Sequence, residues 1–257
     1  MSLKQAIGRL LPEPYTALQE AWTNYQISRA IKSIRKQHGN LVQQGPFAGM
    51  LYINEAACST LAPKLIGSYE AELYSAFAEI LATEYTTIID VGCAEGYYAV
   101  GLALRMPHAK VYAFDTDARA RGLCHEMAKL NSVADRVFLD TACTHSLLRE
   151  LVDERTLVVC DCEGCEFELL QPKIAGLDKV DLLVELHDFI DPRIKSTLIS
   201  RFEQTHQISI IETAARVAAD YPSLKGLSAR RQVFALAELR GADMEWAFMR
   251  SKLYAGT

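Results

Sequence analysis

The stretch Ile88-Ile-Asp-Val-Gly-Cys-Ala-Glu-Gly-Tyr-Tyr98 decides how the chain is read. Its apolar start has the length of a short strand, Asp90 stands at the strand end, and Gly92 and Gly96 bracket a turn that opens a helix. The pattern repeats outward. Strands are predicted at 87–91, 110–114, 136–139, 157–160, 180–186 and 207–212, separated by helices at 97–105, 118–130, 146–152, 166–170 and 192–205. This alternation implies an α/β fold with a doubly wound, mostly parallel, Rossmann-like sheet, helices on both faces, and ligands beyond the carboxyl ends of the strands.

Before that core, the apolar positions Leu18, Trp22, Tyr25, Ile27, Ile31 and Ile34 recur at helical spacing and predict an amphipathic helix over 14–38, ended by Gly39. Such a stripe can be buried on the chain's own domain or on a second copy, so a homodimer stays open. Residues 44–63, with Gly45-Pro46, Gly49 and Pro63, read as a turn-rich lid. Ser68 is expected to cap a helix running to Leu81, with Glu70 and Glu72 in its first turn. Beyond 212, Pro222 and Gly226 mark a loop, 228–239 reads as helix and 244–252 as a last strand. The expected division is an N-terminal helix and lid over 1–66 and a ligand-binding domain over 67–257.

With 257 residues, half of them hydrophobic, the chain can bury a large core. The formal net charge of -5 and the lack of any run of like charges disfavour a surface built to neutralise phosphates, so a nucleic acid partner is not expected. No stretch approaches the roughly 18 apolar residues of a membrane span, and no secretory leader is read, so no membrane partner and a cytoplasmic location are expected. There are seven cysteines. Cys93 and Cys160 lie in or beside apolar strands, where a thiol behaves as a small hydrophobe, and free thiols are expected.

The turn lacks the G-x-G-x-x-G spacing that lays a pyrophosphate on a helix N-terminus. Asp90 and Glu95 add two carboxylates, which repel a pyrophosphate but suit an ammonium and a sulfonium. An NAD(P)-dependent oxidoreductase is the rival that this electrostatics disfavours. The cofactor expected is S-adenosyl-L-methionine (SAM). Asp115 ends the second strand about 20 residues past the turn, where a carboxylate accepts from ribose hydroxyls. Asp140 ends the third strand at the place of an adenine amino group, a role that the backbone of Thr141 or Ala142 could share.

The fourth and fifth strands deliver Asp161, Glu163, Glu185 and His187 to the same rim. A methyl transfer needs a positioned nucleophile and an acceptor for its proton. His187, with an ordinary imidazole pKa of about 6.5, is the candidate base, and Asp161 or Glu163 the orienter or alternative base. The same groups could hold a divalent metal through oxygen-rich coordination, or simply hydrogen-bond to structure, and no metal is assigned. Cys160, Cys162 and Cys165 are a poor tetrahedral zinc set, since no second ligand pair stands at finger spacing. His125, His145 and His206 are read as solvated.

The segments Ile89-Asp-Val-Gly-Cys-Ala-Glu-Gly-Tyr-Tyr98, Val111-Tyr-Ala-Phe-Asp115, Asp161-Cys-Glu-Gly-Cys-Glu166 with Leu169-Leu170, and Val184-Glu-Leu-His187 resemble the FkbM-like family of class I SAM-dependent methyltransferases. The resemblance spans about 45–212, and its distinctive part is the Asp-x-Glu-Gly-x-Glu segment followed by Glu-Leu-His. It implies O-methylation of a hydroxyl on a sugar, polyketide or related small molecule. A likeness over 64–73 hints that Tyr69 and Glu70 face the cofactor. Two spellings depart from the family: Asp115 replaces a commoner Glu-Pro, and the Asp161 segment is rich in cysteine. A non-catalytic SAM-binding protein or partner subunit is the competing reading.

Overall fold

The computed structural model describes residues 13–57, 59–171, 176–240 and 244–253. Seven strands form one sheet in the order β3-β2-β1-β4-β5-β7-β6. They are β1 (Thr87–Val91), β2 (Lys110–Phe114), β3 (Val137–Asp140), β4 (Thr156–Cys160), β5 (Asp181–Leu186), β6 (His206–Glu212) and β7 (Glu245–Ser251). β1 to β5 pair in parallel, and β7 runs antiparallel between β5 and β6. This is the doubly wound, mostly parallel sheet that the alternation predicts. All five residues of β1 and of β4 are buried, as strands covered on both faces must be.

Alternate residues serve opposite faces. Ile88, Leu157, Val159 and Leu183 enter one core with helix α4 (Tyr97–Arg105), while Ile89, Val91, Val158, Leu182 and Val184 enter a second with α8 (Ile194–Phe202). After β3 the chain crosses back to lay β4 beside β1, so the strand order reverses between β1 and β4. In such sheets that switch point opens a crevice beyond the strand ends. Side chains cap the flanking helices: Asp117 accepts from the Arg119 amide at 2.8 Å to start α5 (Ala118–Leu130), and Thr144 accepts from the Leu147 amide at 3.3 Å to start α6 (His145–Leu151).

The N-terminal part differs from expectation. Helix α1 (Glu13–His38) buries Ala30 and Ile34 on its own domain but leaves Leu18, Trp22 and Tyr25 substantially exposed. The segment read as a lid is packed down. Phe47, Met50 and Tyr52 are buried in the same core as Phe77 and Ile88, so residue 66 marks no boundary in the packing. Helix α2 (Leu61–Ile66) is entirely buried, and Gly67 ends it in the left-handed region. Ser68 caps nothing; its amide bonds to the Pro63 carbonyl, and after a short 3-10 turn α3 (Tyr74–Ala82) begins six residues later. The interruption falls at Glu70, held at φ 46°.

Candidate functional site

The turn after β1 is built around a close approach of backbones. Gly92, at φ +89°, lies so near the chain leaving β4 that a Cβ there would stand 1.7 Å from the Asp161 carbonyl oxygen. Only glycine fits both the dihedral and the space. The Asp161 amide bonds to the Val91 carbonyl at 2.9 Å, so the ends of β1 and β4 are locked side by side. Ala94 takes a positive φ of 47° beside it.

A cleft of about 450 Å³ opens here, lined by Gly92, Ala94, Asp115, Thr141, Ala142 and Asp161 among others. Its volume is that of a small-molecule site. Asp115 accepts from the Ala94 amide at 2.9 Å and the Asp117 amide at 2.8 Å, which aims the carboxylate while leaving lone pairs for ligand hydroxyls. Asp140 is exposed and folds back on the Thr141 amide at 2.6 Å; Thr141 and Ala142 line the cleft in its stead. Asp90 lies beneath the turn. It is 1 % exposed with Oδ2 unpartnered, and burial, reinforced by the charge of Asp115 against a backbone hydrogen bond at Ala99, pushes its carboxyl up to about 7.

Glu95 departs from the expected cofactor role. It is fully buried, and its carboxylate is taken up by the Tyr52 hydroxyl, the Lys64 ammonium and the Ala57 amide. Burial alone would raise its pKa, but the charge and hydrogen bond of Lys64, with the bond from Tyr52, hold it below the usual range. Glu95 is a clasp between the packed-down segment and the turn.

A second cleft of about 290 Å³ shares Ala94, Asp161 and Glu163 with the first and adds Lys64, Tyr69, Glu70, Glu185, Glu238 and Arg240. The four rim residues expected to converge do meet here, around His187. Asp161 follows the Cys160–Val184 register pair and so falls beside Glu185. The buried His187 Nε2 lies 3.3 Å from Glu185, 3.5 Å from Asp161 and 3.6 Å from Glu163, while Nδ1 is bonded to Glu166 at 2.7 Å. Its pKa differs from the expectation: burial would lower it, but the hydrogen bond to Glu166 and the charges of Glu166 and Glu185 push it up to about 10. At neutral pH His187 carries a proton and is not a ready base. Burial, then the charge of Glu185, raises Asp161 well above an ordinary aspartate. Glu163 sits at φ 54°, a conformation rare outside glycine, followed by Gly164 at φ 104°.

Arg240 ties this side together, bonding Glu185 at 2.7 Å, Glu238 at 2.9 Å and also Glu70. Burial, joined by the charges of Glu185 and Glu238 against that of Arg240, pushes the Glu70 carboxyl up to about 8. Glu70 thus faces the second cleft and not the first. Sequence reasoning gave no role to Lys64, Glu166 or Arg240. For Lys64 a signal existed, a lone charge inside the apolar run Leu61-Ala-Pro-Lys-Leu-Ile66.

Two further expectations are corrected. Cys162 and Cys165 form a disulfide, while Cys93, Cys124, Cys143 and Cys160 are free thiols. A three-residue separation on a tight turn brings the two sulfurs together whatever the fate of the buried ones. His206 is not solvated: it is buried and bonded to the Val180 carbonyl at 2.9 Å. Among the described residues no helix is long and apolar enough to cross a membrane.

Residues 74–156 match the model of the methyltransferase small domain. That span runs from α3 to the start of β4 and contains the Gly92 turn, Asp115 and Thr141. No curated protein sequence matches the chain. Solved structures similar to it include a precorrin-6y C5,15-methyltransferase from Geobacter metallireducens (13% identity, 70% of this chain and 87% of that one, TM-score 0.47). An rRNA methylase from Streptococcus thermophilus is similar at 13% identity, 70% and 96% coverage, and TM-score 0.45. An O-methyltransferase from Bacillus cereus, in complex with SAH, is similar at 12% identity, 67% and 78% coverage, and TM-score 0.44.

Proposed function

We propose that the protein is a SAM-dependent O-methyltransferase of the FkbM-like kind, acting on a hydroxyl of a sugar, polyketide or other small molecule. The observation that carries the reading is that two clefts meet at Ala94, Asp161 and Glu163, one suited to an adenosyl group and the other lined by chemistry for an acceptor. The first cleft fits SAM: Asp115 presents a carboxylate to the ribose, the Thr141–Ala142 backbone borders the adenine end, and Asp90 keeps an unpartnered buried oxygen below the turn. When bound, SAM supplies a methyl group on a positively charged sulfur.

The chemistry of the second cleft supports a small-molecule acceptor. It carries Glu70, Asp161, Glu163, Glu185 and Glu238, and its two cations, Lys64 and Arg240, are already paired with carboxylates. A phosphate backbone would be repelled, and a neutral polyhydroxyl compound would find acceptors for its hydroxyl hydrogens. Asp161 and Glu185, adjacent carboxylates of unequal pKa, are the pair that takes the acceptor's proton, since a raised carboxyl is matched to neutral pH. His187, oriented by Glu166 at 2.7 Å, stands beside this pair.

Incubation with SAM labelled in its methyl group, against a panel of hydroxylated small molecules and against RNA, tests the reading. Label in the small-molecule fraction, lost in Asp161→Asn, is expected. Label entering RNA alone sinks the proposed acceptor class. Label entering nothing while SAM binds would favour a SAM-binding protein without turnover.

A further inference from the structure

Four carboxylates, Asp161, Glu163, Glu166 and Glu185, surround His187. The nearby cation, Arg240, is shared with Glu70 and Glu238. Two features of the cluster go beyond a patch of acids. His187 is fully buried, and its Nε2 has no hydrogen-bond partner although three carboxylate oxygens stand 3.3 to 3.6 Å away. Those separations are long for hydrogen bonds but close to the edges of a coordination shell: ligands at about 2.1 to 2.3 Å from an octahedral ion lie about 3.0 to 3.3 Å apart. The second feature is Glu166, buried and bonded to Nδ1 at 2.7 Å, the carboxylate that orients a metal-binding imidazole from behind.

We propose that Asp161, Glu163 and His187 Nε2, whose proton the ion displaces, bind one divalent cation of the Mn²⁺ type at the junction of the two clefts. One candidate atom from each of these residues lies within 4.8 Å of the others. One imidazole with carboxylate oxygens suits an ion of intermediate hardness, whereas a purely oxygen shell would suit Mg²⁺ or Ca²⁺. Asp161 and Glu163 line both clefts, so the remaining positions on the ion face the acceptor. Its binding stands on geometry alone. Its use rests on the proposed methyl transfer: the acceptor hydroxyl oxygen coordinates the ion, its proton passes to Glu185, and the oxygen–carbon bond forms as the sulfur–carbon bond breaks, with the S–C electron pair left on sulfur.

The test is Mn²⁺ binding to the full chain, read by the loss of the free-ion electron paramagnetic resonance signal, with S-adenosylhomocysteine (SAH) affinity measured on the same samples. One saturable Mn²⁺ per chain is expected. Glu163→Gln, at a side chain 71% exposed and so harmless to folding, should weaken it about tenfold or more, and Glu166→Gln by about 10- to 100-fold through the ring it orients. SAH affinity should hold in Glu166→Gln, whose side chain lies outside the cofactor cleft. Absence of saturable Mn²⁺ binding in a protein that binds SAH overturns the proposal, as does binding that Glu163→Gln and His187→Gln leave unchanged. Mn²⁺ binding without SAH binding upholds the ion site and instead removes the methyltransferase reading.

Discussion

Replacing Glu95 by alanine should destabilise the protein severely. Lys64 and Glu95 form an ion pair with side chains 3% and 0% exposed, so removing the carboxylate strands an ammonium in the interior. Breaking such a pair from one side costs about 3 to 5 kcal/mol, and the Tyr52 hydroxyl and Ala57 amide lose their acceptor as well. Taking about 4 kcal/mol, and about 2 to 4 °C per kcal/mol for a chain of this size, the midpoint should fall by about 8 to 16 °C. The double replacement Lys64→Met with Glu95→Leu removes both charges and should recover most of that loss. The pair also makes stability depend on acid. Because the folded pKa of Glu95 is depressed, its contribution is complete above the unfolded value near 4.3 and is lost as pH falls through the lower folded value. Thermal and urea unfolding of the single and double variants across pH 3 to 8 measures both effects. A loss below about 1 kcal/mol in Glu95→Ala, the range of an exposed pair, would refute the clasp.

Gly92→Ala should abolish cofactor binding and lower stability, because the added Cβ meets the Asp161 carbonyl and φ +89° is unfavourable to alanine by about 1 to 2 kcal/mol before any clash; SAH titration and thermal unfolding read both. Burial lowers the pKa of His206 against the pull of the Val180 carbonyl, so the folded protein keeps it neutral while the unfolded chain protonates near pH 6.5. Stability should therefore fall as pH drops below about 6.5, and His206→Gln should flatten that dependence in urea titrations at pH 5 and 7.

What could be read from sequence is what is local. The strand ends, the Gly92 turn and Asp115 lie within one β-α-β unit, where hydrophobic periodicity and turn chemistry act over a few residues. The meeting of Asp161 with Glu185 and His187 was also legible, because parallel neighbours deliver their ends to one rim. The pairings were not. Lys64 reaches Glu95 across 31 positions and Arg240 reaches Glu70 across 170, distances over which no periodicity speaks. The same blindness misjudged Glu95, whose charge suggested a ligand when a lysine from the preceding segment neutralises it. Glu70 was expected in a regular helix, but its attraction to Arg240 accompanies a left-handed turn that splits the element. His187 was assigned an ordinary pKa because Glu166, within hydrogen-bonding distance of its ring, cannot be seen from spacing alone.

The Gly92–Asp115 cleft is proposed to bind SAM. Calorimetric titration of SAM, SAH and NAD into the wild type and Asp115→Ala at neutral pH tests it most directly. SAM and SAH should bind, the variant should lose about tenfold or more through its missing charged hydrogen bonds, and NAD should not bind. Binding of NAD alone, or SAM affinity indifferent to Asp115, would contradict it.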